Sequence, residues 1–429
     1  MLGVGEFGPL GPRGTDIPAG IGATDAPASS ITTIAVHGPR PPLDDERLAW
    51  AVLASIVPLA PPLFMALIRT HGSARRVLDA ASGGAVGPVE ADADGSMAEL
   101  VSVLDEAAHG EQALAEDIDR LGLTVTIVDD EAYPSRLRTI DLAPPVLFVL
   151  GDPTALDAAR SVAVVGTRRP TEAGRLTASR IAGALARLEV VVGSGLAIGI
   201  DGAAHAAAVA EAGRTVAVLA GGHGRLYPSA HERLAREIVA TGGAIVSEMA
   251  PRTPPLGHYF IRRNRMIAGL ADATVVVEAP SRSGALSTAR WALEQGRECF
   301  LVPGPIDAPT SAGCLSLLRA YSPVARIVAG VGELMEDLGL IDDVVRKGTR
   351  GRRSRDGAII LSELGPTEAS VARHLLDGLT SVDEIVAATA LPAGSVLGTL
   401  TLLEMRGWVS GMYGRYRPAG RLATADPGR

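Results

Sequence analysis

The regular spacing of short apolar runs in the middle of the chain is the feature that most constrains its fold. These runs begin near Val162, Val190, Val216, Ile245, Thr274 and Cys299, at successive intervals of 28, 26, 29, 29 and 25 residues. A strand, a helix and two connecting loops occupy about 30 residues in a βαβ unit. The runs are continuous rather than alternating, which is typical of strands buried on both faces. The spacing therefore predicts an α/β fold, a Rossmann-like, doubly wound and mostly parallel sheet.

Helix-like stretches fill the intervals between these runs. They cover residues 174–188, 203–212, 231–241 and 285–296. Helices that alternate with parallel strands cover both faces of a doubly wound sheet. We therefore predict a three-layer central domain over residues 122–339.

The segment before this domain divides into two predicted parts. Residues 1–43 are rich in Gly, Pro, Ala and Thr and have no apolar period, so we expect a disordered leader. Residues 44–121 carry a helical apolar pattern that is broken at Pro58 and Pro61. This pattern predicts a small helical domain resembling a sterile alpha motif, and a strand follows it at 125–128.

The segment after the central domain predicts a linker and a second small domain. Residues 340–362 contain a basic, Gly-containing stretch without core-forming residues. Residues 363–418 predict three short helices and a hairpin, and Ser381 with Glu384 forms a capping box for the second helix. This arrangement is typical of a winged helix. Residues 419–429 form a tail.

The presumed recognition helix of this winged helix covers residues 395–406. It carries Glu404 and Arg406 but otherwise Ser, Thr and apolar side chains, so it lacks the donors expected in a major groove. Binding of duplex DNA and binding of another protein therefore remain two alternatives for this domain.

Composition excludes several classes of protein. No lysine precedes Lys347, so the body of the chain cannot contain a P-loop. Cys299 and Cys314 lack neighbouring ligands, which argues against a disulfide framework and a zinc site and favours a cytoplasmic protein. No run approaches the roughly 20 apolar residues of a membrane span, so we expect no membrane partner. With a net charge of -8, any contact with nucleic acid must come from a local cluster.

Glycine and arginine are concentrated where the predicted strands end. The loops read GTRRP (166–170), GSGLAIGID (193–201), GGHG (221–224), EAPSRSG (278–284) and PGPID (303–307). Ligands of open parallel sheets bind at this rim, where helix N-termini present free amides to anions. Glycine is also an ordinary turn residue, but five such loops, with Arg168, Arg169 and Arg282 among them, favour a phosphate or nucleotide site.

The densest basic cluster follows two aromatic residues, Tyr259 and Phe260, for which stacking on a base and packing are both open and packing is favoured. It comprises Arg262, Arg263, Asn264 and Arg265. Two roles are open, because these side chains can line the anion site or form ion pairs inside the protein. The candidate carboxylates for such pairs are Glu248, Asp272 and Glu278.

Dinucleotide binding and catalysis are less well supported. Gly193, Gly195 and Gly199 resemble a dinucleotide fingerprint, but the next strand ends without the acidic residue that binds ribose, so we predict no cofactor. Asp201 is expected to cap a helix and His205 to pack inside the fold. We therefore predict no catalytic residue and no metal site.

Together these motifs resemble the DNA-processing protein A family, also called Smf. Between Val162 and Leu318 the chain reads VAVVGTRRP, GSGLAIGIDGAAH, SEMAP, FIRRNRMIAGL, VVVEAPSRSGAL and VPGPID in this order. The resemblance implies a core that binds single-stranded DNA without sequence preference, protects it and loads the RecA recombinase during natural transformation. It also implies a homodimer.

The resemblance assigns site residues by motif. Arg168 and Arg282 would grip phosphates, while Gly166, Ser194, Gly195, Ser283 and Gly284 would shape the pocket. The remaining predicted contacts with DNA are Thr167, Arg169, Arg262, Arg263, Asn264 and Arg265.

Two other functions compete with this prediction. Related Rossmann-like enzymes, the nucleoside monophosphate phosphoribohydrolases, cleave glycosidic bonds with a PGGxGT loop and a nearby glutamate. Here the equivalent loop reads APSRSGALST, with arginine and serine in place of the diglycine, which favours binding over hydrolysis. A transcriptional regulator that senses a nucleotide in its core is the third alternative.

Overall fold

The computed structural model describes residues 42–56, 60–84, 86, 97–340, 364–412, 415–419 and 422. The expected disordered leader up to residue 41 and the predicted linker from 341 onward lie outside these residues. Pro58, where the predicted helical pattern breaks, also lies outside them.

A nine-stranded sheet forms the centre of the described part of the chain. Its strands are β1 (Thr124–Ile127), β2 (Val146–Gly151), β3 (Ser161–Val165), β4 (Val191–Ser194), β5 (Thr215–Val218), β6 (Ala244–Ser247), β7 (Ala273–Val276), β8 (Glu298–Leu301) and β9 (Ala325–Ile327). The spatial order is β1-β2-β6-β5-β4-β3-β7-β8-β9. The pairs from β6 to β9 are parallel, whereas β1 and β2 add an antiparallel edge. The predicted Rossmann-like, mostly parallel fold is confirmed.

Five helices precede this sheet in the described residues. They are α1 (Asp45–Ser55), α2 (Pro61–His71), α3 (Ala74–Ser82), α4 (Met97–His109) and α5 (Glu111–Leu121). Trp50 and Phe64 pack with ring centroids 5.2 Å apart. Arg47 joins α1 to the sheet, because its guanidinium binds the Asp130 carboxylate at 2.5 Å and the Val125 carbonyl at 3.0 Å. These helices therefore pack on the sheet rather than standing apart from it.

Helices cover both faces of the sheet. They are α6 (Ser135–Arg138), α7 (Glu172–Arg187), α8 (Ile200–Ala210), α9 (Glu232–Ala240), α10 (Gly257–Gly269), α11 (Ala285–Glu294), α12 (Ala312–Ala320) and α13 (Val331–Asp337). Alternate residues of β3 face opposite layers, since Val162 and Val164 pack with α7 and α8, whereas Ala163 and Val165 pack with α10 and α11. Burial on both faces is the reason that the strands read as continuous apolar runs.

The C-terminal residues form the predicted winged helix. Its elements are α14 (Pro366–Leu376), α15 (Val382–Thr389), α16 (Ala393–Met405), β10 (Val409–Met412) and β11 (Arg415–Pro418). The capping box is present, because the Ser381 hydroxyl accepts the Glu384 amide at 3.2 Å and the Glu384 carboxylate accepts the Ser381 amide at 2.9 Å. None of the described helices could span a bilayer alone, and α15 with α16 reaches that length only as a pair bent by 117°.

Candidate nucleic-acid interface

The two loops that carry the predicted phosphate-binding arginines lie side by side. They follow β3 and β7, which pair in parallel with Val165 opposite Val276. The Thr167 amide donates to the Glu278 carbonyl at 2.7 Å, and a Cβ at Gly166 would lie 2.9 Å from that same oxygen. The loops are therefore packed against each other without intervening side chains.

Arg168 and Arg282 are exposed cations, one on each of these two loops. Neither forms an ion pair with a carboxylate in the described part of the chain, so both guanidinium groups are available to an anion. Arg169 is exposed beside Arg168, and its amide donates to the Thr167 hydroxyl at 3.2 Å. The structure thus brings the GTRR and SRSG motifs to one rim of the sheet.

Aromatic side chains adjoin Arg168. The guanidinium carbon of Arg168 lies 4.9 Å from the centroid of the Phe260 ring, and the Tyr227 ring meets Phe260 edge-on at 5.7 Å. Tyr227 is 45% exposed, and Arg225 is exposed two residues before it. We call Arg168, Arg225, Tyr227 and Phe260 the aromatic-basic surface. The sequence analysis did not identify Arg225 and Tyr227, although an arginine two residues before a tyrosine in the loop after β5 could have indicated a site for single-stranded nucleic acid.

Buried Arg263 lies next to this surface, close to the Phe260 ring. Its guanidinium donates to the carbonyls of Gly195, at 2.8 Å, and Val218, and it lies 5.9 Å from the Phe260 ring. A Cβ at Gly195 would lie only 2.5 Å from this guanidinium, so glycine is required there. Burial lowers the pKa of Arg263 to about 10 despite the neighbouring Asp201 carboxylate.

Asp201 does not cap its helix as the sequence suggested. Helix α8 is preceded by Gly199, and Asp201 lies in its first turn, where the carboxylate accepts the Gly195 amide at 3.1 Å. Burial raises the pKa of Asp201, opposed by Arg263 and by backbone amides. The carboxylate therefore fixes the loop after β4.

His205 has the expected packing role. Its Nδ1 lies 2.7 Å from the Thr215 hydroxyl, and burial lowers the pKa of the imidazole to about 3. A histidine that stays neutral inside the fold contributes packing and one hydrogen bond.

The arginine-rich cluster on α10 is bound mainly by the protein itself. Arg265 is 2% exposed and binds the Glu248 carboxylate at 2.8 and 2.6 Å, and Arg262 reaches the same carboxylate at 3.2 Å. Asn264 donates to the Gly284 carbonyl at 3.1 Å. Burial raises the pKa of Glu248, but the bonds from Arg265 outweigh it and the net shift is downward. The ion-pairing alternative therefore describes Arg262 and Arg265.

Several backbone amides at the N-termini of α7 and α8 are hydrogen-bonded within the protein. The Glu278 carboxylate accepts the amide of Thr171 at 2.9 Å and its hydroxyl at 2.5 Å, where α7 begins. The amide of Ile200, the first residue of α8, donates to the Thr167 carbonyl at 3.2 Å. Protein groups satisfy these two amides, so we regard the exposed arginine side chains as the main candidates for contacts with an anion.

The remaining predicted residues shape the loops. The Ser194 hydroxyl is buried and donates to the Val164 carbonyl at 2.7 Å, so it does not face solvent. The Ser283 hydroxyl accepts the Ala285 amide at 3.3 Å, and a side chain at Gly284 would project into open space.

The fold and the site define a Rossmann-like protein with cationic loops at the rim of its sheet and a C-terminal winged helix. The family described as DNA recombination-mediator protein A matches residues 124–339, and the DprA winged helix domain matches residues 360–415. The chain belongs to this DprA/Smf family, as its motifs predicted.

Individual relatives agree with this assignment. A protein of Mycobacterium tuberculosis named "Putative DNA processing protein DprA" is 37% identical over 389 residues, which cover 87% of this chain and 95% of the relative. Protein Smf of Escherichia coli is 38% identical over 292 residues, covering 67% and 75%. The crystal structure of DNA processing protein A from Streptococcus pneumoniae superposes with a TM-score of 0.54 and 29% identity, covering 68% of this chain and 95% of that one.

Proposed function

We propose that the aromatic-basic surface and the neighbouring Arg282 bind single-stranded DNA and that this binding serves DNA processing in transformation and recombination. The observation that carries the proposal is the contact of unpaired Arg168 with Phe260 beside exposed Tyr227. Aromatic rings stack on the faces of bases, and base faces are accessible in a single strand but hidden in a duplex. The combination therefore favours a single strand.

The charge distribution supports the same proposal. The chain carries a net charge of -8, so it does not attract DNA as a whole. Arg168, Arg225 and Arg282 are exposed on loops that follow β3, β5 and β7, and each can form bidentate bonds with a phosphate. Readout of phosphates and ring faces carries no sequence information, so we expect binding without sequence preference.

Three further parts of the proposal rest on family membership rather than on contacts. These are protection of incoming DNA with delivery to the RecA recombinase, a homodimer as the working unit, and a cytoplasmic location. The winged helix would then bind either duplex DNA or a protein partner. If this protein accelerates the formation of RecA filaments on single-stranded DNA that is coated with another protein, the result would support delivery of DNA to RecA.

Hydrolysis of nucleotides is the second candidate, and the contacts favour it less. The glutamate that follows β7 is Glu278, and its carboxylate is already bonded to the amide and the hydroxyl of Thr171. A general acid or base needs an accessible carboxylate at the reacting bond. We therefore propose binding without bond cleavage.

Fluorescence anisotropy with a labelled oligothymidine tests this function. We expect the double variant Arg168→Ala and Arg282→Ala to bind at least about 100-fold more weakly than the parent, since each charged contact contributes about 1.5–3 kcal/mol. The matched control is Arg180→Ala, which removes an exposed arginine from the body of α7. Equal affinity of the double variant and the control would refute the proposed site, and release of a free base from nucleoside monophosphates would favour the enzyme.

A further inference from the structure

A cleft of about 390 Å³ is lined by Arg168 and by residues that do not belong to the aromatic-basic surface. It lies between the first turns of α7 and α8 and the residue that precedes α9. Its lining includes Arg168, Arg175, Gly199, Gly202, Ala203 and His231. Of the four residues of the aromatic-basic surface, Arg168 alone lines the cleft, so the cleft adjoins that surface without belonging to it.

Two arginines at the cleft are available to a ligand. Arg168 has no carboxylate partner in the described part of the chain. Arg175 pairs at 2.8 Å with Glu172, which lies on the same helix and is 82% exposed. An exposed pair of this kind contributes at most about 1 kcal/mol. An incoming anion can therefore replace Glu172 at little cost.

His231 presents a third polar group to the cleft. Its Nδ1 lies 2.8 Å from the Leu196 carbonyl, which can only accept, so Nδ1 carries the hydrogen. The opposite nitrogen, Nε2, would lie 2.9 Å from a Cβ at Gly202. The bond to Leu196 thus fixes the orientation of the ring and directs Nε2 toward Gly202 at the cleft.

The backbone around the cleft provides space for a ligand, but two of its amides are already hydrogen-bonded. The amides of Ile200 and Gly202 already donate to the carbonyls of Thr167 and Ala197 at 3.2 and 3.0 Å. Glycine at 202 keeps the floor open, because a Cβ there would lie 2.5 Å from the His231 ring. Cationic side chains rather than helix amides therefore determine what binds.

We propose that this cleft binds the terminal phosphate monoester of a DNA strand, an inference that rests on the proposed function of the adjoining surface. A monoester carries close to two negative charges and three free oxygens, whereas an internal diester carries one charge and two free oxygens. The two guanidinium groups of Arg168 and Arg175, each able to form bidentate bonds with phosphate oxygens, match the monoester. Because Arg168 belongs to both regions, a strand on the aromatic-basic surface can place its end in the cleft.

The test compares three oligothymidines of equal length by anisotropy with the full chain. One carries a 5′-phosphate, one a 3′-phosphate and one hydroxyl groups at both ends. We expect one phosphorylated strand to bind about tenfold more tightly than the hydroxyl strand, which corresponds to about 1.4 kcal/mol. Whether the 5′-phosphorylated or the 3′-phosphorylated strand binds more tightly identifies which end of the strand enters the cleft.

Three variants assign that preference to the cleft. Arg175→Gln and Gly202→Ala, which narrows the floor against His231, should each reduce the preference to below about twofold. Arg180→Gln, from an exposed position of α7 outside the cleft, should keep it. Because Arg175 is exposed, its replacement does not disturb the fold, so a lost preference there reports on the cleft.

Two results would overturn the inference. Equal affinity of the parent for all three strands would show that the cleft does not recognise an end, and a preference that survives both cleft variants would place the recognition elsewhere. Failure of the hydroxyl strand to bind at all would instead refute the proposed single-strand function, so the two failures are distinguishable.

Discussion

Replacing Glu248 by glutamine tests whether a buried ion pair holds the arginine-rich helix α10. The Glu248 carboxylate is 4% exposed and receives two bonds from Arg265, itself 2% exposed, and one from Arg262. Glutamine preserves the volume but removes the charge, which leaves the Arg265 guanidinium buried with two carbonyl acceptors, those of Leu142 and Arg262. Breaking a buried pair costs about 3–5 kcal/mol. We expect about 3 kcal/mol, since glutamine still accepts one bond.

Urea unfolding measures this loss through tryptophan fluorescence, to which Trp291 contributes from α11, on the same face of the sheet as α10. The matched control is Glu294→Gln, an exposed carboxylate at the end of α11, which should change the free energy of unfolding by less than about 0.5 kcal/mol. A loss of less than about 1 kcal/mol for Glu248→Gln would refute the reasoning, because the carbonyls alone would then satisfy Arg265.

The same pair predicts a dependence on pH. The folded pKa of Glu248 lies below its ordinary value of 4.5, since the bonds from Arg265 outweigh burial. A carboxylate with a lowered folded pKa contributes its stability above the ordinary pKa and loses it as the pH falls through the folded pKa. The difference between the parent and Glu248→Gln should therefore be complete above pH 4.5 and shrink below it. A constant difference down to pH 3 would contradict this.

Three other changes have defined outcomes. Gly195→Ala would place a Cβ 2.5 Å from the Arg263 guanidinium, so thermal unfolding should show a loss of about 1–3 kcal/mol, and an unchanged melting temperature would contradict the contact. Phe260→Ala should weaken the binding of oligothymidine about tenfold in an anisotropy titration, since one stacked base contributes about 1–3 kcal/mol, and retained affinity would exclude the ring as a platform. Asp117→Asn removes the charge of a carboxylate on α5 that pairs with the exposed guanidinium groups of Arg252 and Arg120, so chemical unfolding should detect a loss of about 1 kcal/mol, and no loss would mean that these pairs do not stabilise the fold.

The order of helices and strands could be predicted because each βαβ unit repeats a local pattern. The predicted stretch 203–212 corresponds to α8 at Ile200–Ala210, and 285–296 corresponds to α11 at Ala285–Glu294. Strand β2 was missed, since Val146–Gly151 lies outside the regular spacing and pairs antiparallel with β6, far away in sequence. Periodicity identifies strands that belong to a repeated unit but not the partners of an added edge.

The sequence could predict those parts of the candidate site in which a side chain is exposed because of its position in a loop after a strand. Arg168 and Arg282 follow strands, and the neighbouring Glu278 carboxylate is bonded to Thr171 rather than to either arginine, so the exposure of both arginines agrees with the prediction from the sequence. Whether Arg263 and Arg265 are buried or exposed depends instead on their bonds with Gly195 and Glu248, which are distant in sequence and are brought close by the fold. Local sequence does not distinguish an arginine that faces a ligand from one that faces a buried carboxylate or carbonyl, so both roles had to stay open.

The salt dependence of single-strand binding tests the central claim most directly. Each phosphate neutralised on a single strand contributes about -0.7 to the slope of log K against log salt concentration. If Arg168 and Arg282 each hold one phosphate, the double alanine variant should have a slope shallower by about 1.4 than the parent, while Arg180→Ala should keep the parental slope. An unchanged slope in the double variant would mean that these two guanidinium groups do not meet DNA, and the account of this surface would be wrong.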